Sequence, residues 1–230
     1  MRQAGYAMQT LLIRCARVLD PAGRSDCVRD LWVRGGVICG EPAAAADRCI
    51  EAAGLVAMPG LVDLHVHLRE PGGEEAETIE TGCRGALAGG FTTIACMPNT
   101  NPPLDTPERL RAVLARAESL RLCRLVGVAC ITQGRGGQKL TDFRALAEAG
   151  AKAVSDDGST VAGAALMRQA LRSAAQAGLV VADHCEDPTL AGEGAVNEGD
   201  ISRLLGVAGR PACAEDVIVA RDLVLAEDAG

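Results

Sequence analysis

The stretch PGLVDLHVHLREPG, Pro59 to Gly72, decides how the rest of this chain is read. The chain has only three histidines, and two of them stand here one residue apart, at the end of an apolar run and before a Pro-Gly turn. Read as a strand, the segment alternates: Leu64, Val66 and Leu68 point to one face, and Asp63, His65, His67 and Arg69 to the other. Two imidazoles on one strand face lie about 7 Å apart at the backbone, close enough to ligate one ion. The second face therefore carries chemistry.

On the carboxyl side, from Leu61 onward, short apolar strands alternate with amphipathic helices. Strands are expected at 61–68, 91–98, 123–132, 151–158 and 179–187, and helices at 77–90, 106–120, 141–150, 163–178 and 214–230. Glycines close several of these helices (Gly89, Gly90, Gly150, Gly178), as C-cap chemistry requires. Five β/α units in a row call for a parallel sheet covered by helices. On the amino side, residues 10–60 hold short alternating segments separated by turns, which suggests a small β domain. The division expected is 8–60 for that domain and 61–230 for the β/α units, with the opening MRQAGYA read as an upstream start or tag remnant.

An open doubly wound sheet and part of an eight-stranded barrel both fit an α/β chain of this pattern. Polar residues cluster just past four strand ends: His65, His67 and Arg69; Asn99; Asp156 and Asp157; His184 and Glu186. In a barrel such ends converge on one mouth, whereas an open sheet has its crevice at one switch point. Convergence from four strands favours the barrel. No glycine-rich phosphate loop follows any strand, so nucleotide binding lacks its main signature.

The 230 residues are 48% hydrophobic and carry a net charge of -7. That charge argues against nucleic acid or anionic membrane as the main partner, and no apolar run approaches the ~20 residues a membrane span needs. Ten cysteines are scattered without a CxxC pair, so they read as reduced, mostly core thiols of a cytoplasmic protein.

Each candidate has an ordinary reading as well. SDDG can be a helix cap or turn, Arg69 a surface ion pair, Asn99 a turn former, and Glu186 and Asp187 loop caps. Cys185 reads as packed, because no second cysteine is spaced to join it. Against this, the third histidine, His184, also sits at a strand end, and zinc accepts a mixture of imidazole and carboxylate.

The segments MPGLVDLHVHLREPG, GGFTTIACMPNTNPP, KAVSDDGSTV and DHCED together resemble the dihydroorotases of the cyclic amidohydrolase family, from about Thr10 to the last residue. The resemblance implies a (β/α)8 TIM barrel, here truncated after about five units, with a small β-sandwich domain to which the N-terminal residues contribute. It implies zinc, one or two ions, held by His65, His67, Asp157 and His184. Arg69 and Asn99 match the residues that bind the substrate carboxylate. The family's spacing of aspartate to histidine selects Asp157 over Asp156, and Lys152 lies too early on its strand to serve as a carboxylated bridge. A further histidine ligand and the proton-shuttling aspartate are expected beyond Gly230. The implied reaction interconverts dihydroorotate and N-carbamoyl-L-aspartate in pyrimidine synthesis. Rival readings are a hydantoinase or allantoinase, and a non-catalytic subunit that scaffolds aspartate transcarbamoylase. Association with that enzyme or a homodimer stays open. Residues 1–230 alone are expected to be poorly soluble, to bind zinc weakly and to lack activity.

Overall fold

The computed structural model describes residues 9–42 and 45–230. The opening heptapeptide and Met8 lie outside the described residues. Contacts divide the chain into two units that meet in sequence between Gly60 and Leu61.

The first unit is built from β1 (Thr10–Asp20), β2 (Ser25–Arg34), β3 (Val37–Cys39), β4 (Arg48–Glu51) and β5 (Val56–Ala57). They form one mixed sheet in the order β3-β2-β1-β4, with β5 also pairing β1. The pairs β1–β2 and β2–β3 are antiparallel, and β4 and β5 run parallel to β1. The β1–β2 register shifts between Ile13 and Ala16, where Cys15 has a φ of 57°. Such a bulge bends a strand. Ala16, Val18 and Ala52 form the buried centre of this unit.

The second unit follows in the order β6 (Leu61–Val66), α1 (Ile79–Ala88), β7 (Phe91–Cys96), α2 (Pro107–Leu120), β8 (Arg124–Ala129), α3 (Phe143–Glu148), β9 (Ala151–Val154), α4 (Ala164–Ala177), β10 (Val180–Val181), α5 (Pro188–Ala191), β11 (Val196–Asn197), α6 (Asp200–Leu205), β12 (Gly209–Arg210) and α7 (Cys213–Ala229). Strands β6 to β10 form a parallel sheet in the order β10-β9-β8-β7-β6, each strand beside its sequence neighbour. That order has no switch point, which separates it from a doubly wound sheet.

Local chemistry explains the helix boundaries. Thr78 and Thr81 form a reciprocal capping box at the start of α1, Thr106 caps α2 ahead of Pro107, and Asp142 accepts from Ala145 N at the start of α3. Gly178 ends α4 with a φ of 68°, a conformation that glycine adopts at no steric cost.

The main core lies between sheet and helices: Ile94, Cys96, Ala129 and Val154 of the strands meet Leu110 and Met167 of the helices. The opposite face of the same strands buries Ala95 and Val128, joined by Met97 just past β7, in a smaller cluster. Alternation along each strand produces both clusters. The two outer strands leave apolar side chains in the open, Val62 and Leu64 on β6 and Val180 on β10.

Three features differ from the sequence expectation. The strands are shorter: β10 has only two residues, and the chain leaves the sheet after Ala182 N donates to Val154 O. Between β10 and α7 the chain builds α5, α6 and the small β11–β12 pair, which lack strong hydrophobic periodicity. All ten cysteines are unpaired, but only Cys83, Cys96 and Cys130 are buried, so the thiols are not mostly core. Cys15, Cys27 and Cys49 fall on an open sheet, where strand alternation leaves half the positions exposed.

Candidate metal centre

The H-x-H places its rings at the end of β6. His65 Nε2 lies 3.3 Å from His67 Nε2 and 3.0 Å from Asp157 Oδ1, and His67 Nε2 lies 3.6 Å from Asp157 Oδ2. The ligand atoms of these three residues lie within 4.8 Å of one another. Asp157 is buried, His67 half-buried and His65 exposed, so the group opens to solvent on one side.

Two neighbours hold the segment that carries the carboxylate. Arg135 donates through Nη2 to the backbone oxygen of Asp157 and, at 3.4 Å, to that of Asp156. The Asp156 carboxylate accepts from Thr132 N at 3.0 Å and from Thr132 Oγ1. Burial holds the Asp156 carboxyl above its ordinary range, and the Thr132 bonds pull it back in part. Asp156 thus ties the ends of β8 and β9 together, and Asp157 meets the imidazoles.

Asn99, past the end of β7, touches both kinds of candidate ligand. Its Oδ1 lies 2.9 Å from His67 Nδ1, and its Nδ2 donates to Asp157 Oδ2 at 2.8 Å. A carboxylate can only accept, which orients the amide and leaves Oδ1 to accept from an Nδ1–H of His67. His67 Nε2 is then a bare lone pair. It faces two carboxylate oxygens and His65 Nε2, a group completed by one proton, carried on His65 Nε2, or by one cation.

The loop that carries Arg69 is held by close approach. Gly72 has a φ of 90°, and a Cβ there would sit 2.0 Å from Asn101 O. Asn101 N donates to Pro71 O at 2.9 Å, and Glu70 Oε2 accepts from Ile79 N at 2.8 Å. Arg69 itself has a φ of 55°, is exposed, and makes no side-chain hydrogen bond or ion pair among the described residues.

The fourth expected ligand, His184, is exposed two residues past the last ladder bond of β10 and stands outside the His65–His67–Asp157 group. Its neighbours form a different cluster. Asp183, Cys185 and Asp222 bring ligand atoms within 4.8 Å, but Arg221 Nε donates to Asp222 Oδ1 at 2.7 Å and its Nη2 is 4.0 Å from Asp183 Oδ2. The resident cation there is a guanidinium. Burial, with Asp222 close by, pushes the Asp183 carboxyl up to about 6.

The sequence reading missed Thr132 and Arg135, and it missed the contact of Asn99 with two candidate ligands. TQGR carries no spacing signal, since its role depends on which backbone it meets after folding.

The family model described as Dihydro-orotase-like matches residues 54–230. The chain belongs to the dihydroorotase-like family. It is 48% identical over 221 residues to the dihydroorotase of Pelobacter propionicus, covering 94% of this chain and 52% of that one. It is 43% identical to the dihydroorotase of Aquifex aeolicus, covering 97% and 53%. The chain therefore spans about half the length of the curated relatives it matches. Among solved structures, the L-hydantoinase of Arthrobacter aurescens superposes with a TM-score of 0.78 at 22% identity, covering 97% of this chain and 51% of that one. The D-hydantoinase of a Thermus species gives 0.68 at 25% identity, covering 96% and 50%. This likeness establishes the amidohydrolase barrel fold, of which the dihydroorotase-like chain supplies a five-stranded arc.

Proposed function

We propose that the protein is a zinc-dependent dihydroorotase that interconverts dihydroorotate and N-carbamoyl-L-aspartate in pyrimidine biosynthesis. The observation that carries the reading is the convergence of His65, His67 and Asp157 at the strand ends of a chain in this family. Two imidazoles and a carboxylate suit zinc. In this reading they hold the ion, and His184 is the further ligand that the family resemblance assigns.

When bound, zinc supplies Lewis acidity, polarising the ring carbonyl and making water acidic enough to act as nucleophile near neutral pH. The chain's own residues supply the positioning. Arg69, exposed and without a side-chain partner among the described residues, grips the substrate carboxylate through its planar fork. Asn99 spends one Nδ2 proton on Asp157 and has a second to offer that carboxylate. Fixing the ring over the centre converts an encounter into an oriented reaction. The proton shuttle is assigned by resemblance to an aspartate beyond Gly230.

The curated dihydroorotases are 43 to 48% identical, whereas the hydantoinases are 20 to 25% identical and bear on fold. His65, His67, Asp157 and His184 are all present, which disfavours a scaffold that has lost its metal. A cytoplasmic site of action fits the ten unpaired cysteines. The test is turnover of dihydroorotate, hydantoin and allantoin by the full-length protein before and after chelation. Turnover of dihydroorotate above the other two, lost with a chelator and restored by zinc, is expected. A preference for hydantoin, or activity indifferent to chelation, overturns the reading.

A further inference from the structure

We infer that Asn99 is a positioning residue that sets the tautomer of His67 and the orientation of Asp157, so that both present bare acceptors to the metal. The inference rests on the metal-centre reading above and adds to it a role that contact with substrate does not require.

The argument is one of donors and acceptors. An amide offers one acceptor oxygen and two N–H donors, and its two ends cannot be exchanged without changing what its neighbours do. Here one end meets a carboxylate at 2.8 Å and the other a ring nitrogen at 2.9 Å. Were the amide reversed, Oδ1 would face a carboxylate oxygen, two acceptors with no proton between them. The carboxylate therefore fixes the amide, and the amide fixes the imidazole as its Nδ1–H form. A neutral imidazole has one N–H, so His67 Nε2 carries the lone pair, on the side where His65 Nε2 and Asp157 lie. Metal-binding histidines generally depend on such an orienting partner at the far nitrogen. Half-burial of Asn99 and His67 limits competition from water for these bonds.

The sequence supports a fixed position as well. Asn99 sits between Pro98 and a loop in which Asn101 N bonds Pro71 O, and Cys130 Sγ lies 4.0 Å from Pro98 O. The amide is thus carried on backbone held at both sides.

The test uses the metal-free full-length protein labelled with 15N-histidine, in which two-bond proton–nitrogen correlations distinguish the two neutral tautomers. The His67 signals are assigned by their loss in His67→Gln. The Nδ1–H pattern is expected in the wild type. Asn99→Ala should lose it and bind zinc roughly 10- to 100-fold more weakly, the usual cost of removing such a partner. An Nε2–H pattern in the wild type overturns the inference. So does an Ala variant whose tautomer and zinc affinity are unchanged. Because the tautomer is read without metal or substrate, a failure of the dihydroorotase reading leaves this result interpretable by itself.

Discussion

Asp156 accepts a hydrogen bond from Thr132 N at 3.0 Å, while the next residue, Asp157, sets its Oδ1 3.0 Å from His65 Nε2. Two adjacent carboxylates thus serve different ends, and their substitution should separate. Asp156→Ala leaves Thr132 with buried, unsatisfied donors, at a cost of about 1–3 kcal/mol. Asp157→Ala should remove metal with a smaller effect on stability. Denaturant unfolding and metal content of both variants check this; equal losses on both measures would merge the two roles.

The paired substitution of His65 and His67 by alanine should abolish zinc binding. Neither ring belongs to the main buried core, so the thermal transition of the metal-free protein should move little. Equal zinc content in wild type and variant, by elemental analysis, removes the pair from the centre.

Arg69→Lys should weaken substrate use far more than metal binding, because a point charge does not reproduce a planar fork. Loss of one charge-assisted bond, about 1.5–3 kcal/mol, corresponds to one to two decades in kcat/KM. Steady-state kinetics with zinc content held equal is the measurement, and unchanged kinetics excludes Arg69.

Gly72→Ala should disturb the loop that carries Arg69. The φ of 90° and a Cβ placed 2.0 Å from Asn101 O leave no room without backbone movement. Backbone strain alone costs about 1–2 kcal/mol, and the contact adds to it. A lowered Tm together with a raised KM is expected; a Tm equal to wild type would show that the loop relaxes freely.

The raised Asp183 carboxyl, at about 6 against an ordinary 3.8, gives stability a pH dependence of known sign. Its neutral form is favoured in the fold, so this contribution is complete below about 3.8 and fades as pH rises through 6. Ionisation above that range should cost about 1–3 kcal/mol, reduced by the Arg221 guanidinium nearby. Chemical denaturation at pH 5 and 7.5 should show wild type losing stability relative to Asp183→Asn. Parallel behaviour of the two proteins would rule the site out.

Apolar spacing and closing glycines were enough to place the five strands of the sheet and the helices α1 to α4 and α7, because these are local signals, whereas α5, α6 and the β11–β12 pair went unread. The polar residues past the strand ends were legible for a similar reason: a parallel β/α sheet puts all its strand ends on one side. His65 and His67 share a face by strand alternation alone. Family spacing selected Asp157, which the fold brings to His65.

What the tertiary structure decided is how each polar group spends its bonds. Asn99 reads in sequence as a turn former or, by resemblance, a substrate-binding residue, but its amide spans His67 and Asp157. Thr132 and Arg135 have no signal at all, because their partners are a carboxylate and two carbonyls reached only when β8 and β9 pair. His184 follows a strand whose ladder ends at Ala182, so its distance from the other ligands depends on how the chain leaves the sheet. Periodicity reports which face a residue occupies; hydrogen-bond partners are set by distances of a few ångströms between elements far apart in the chain, and no local pattern encodes those.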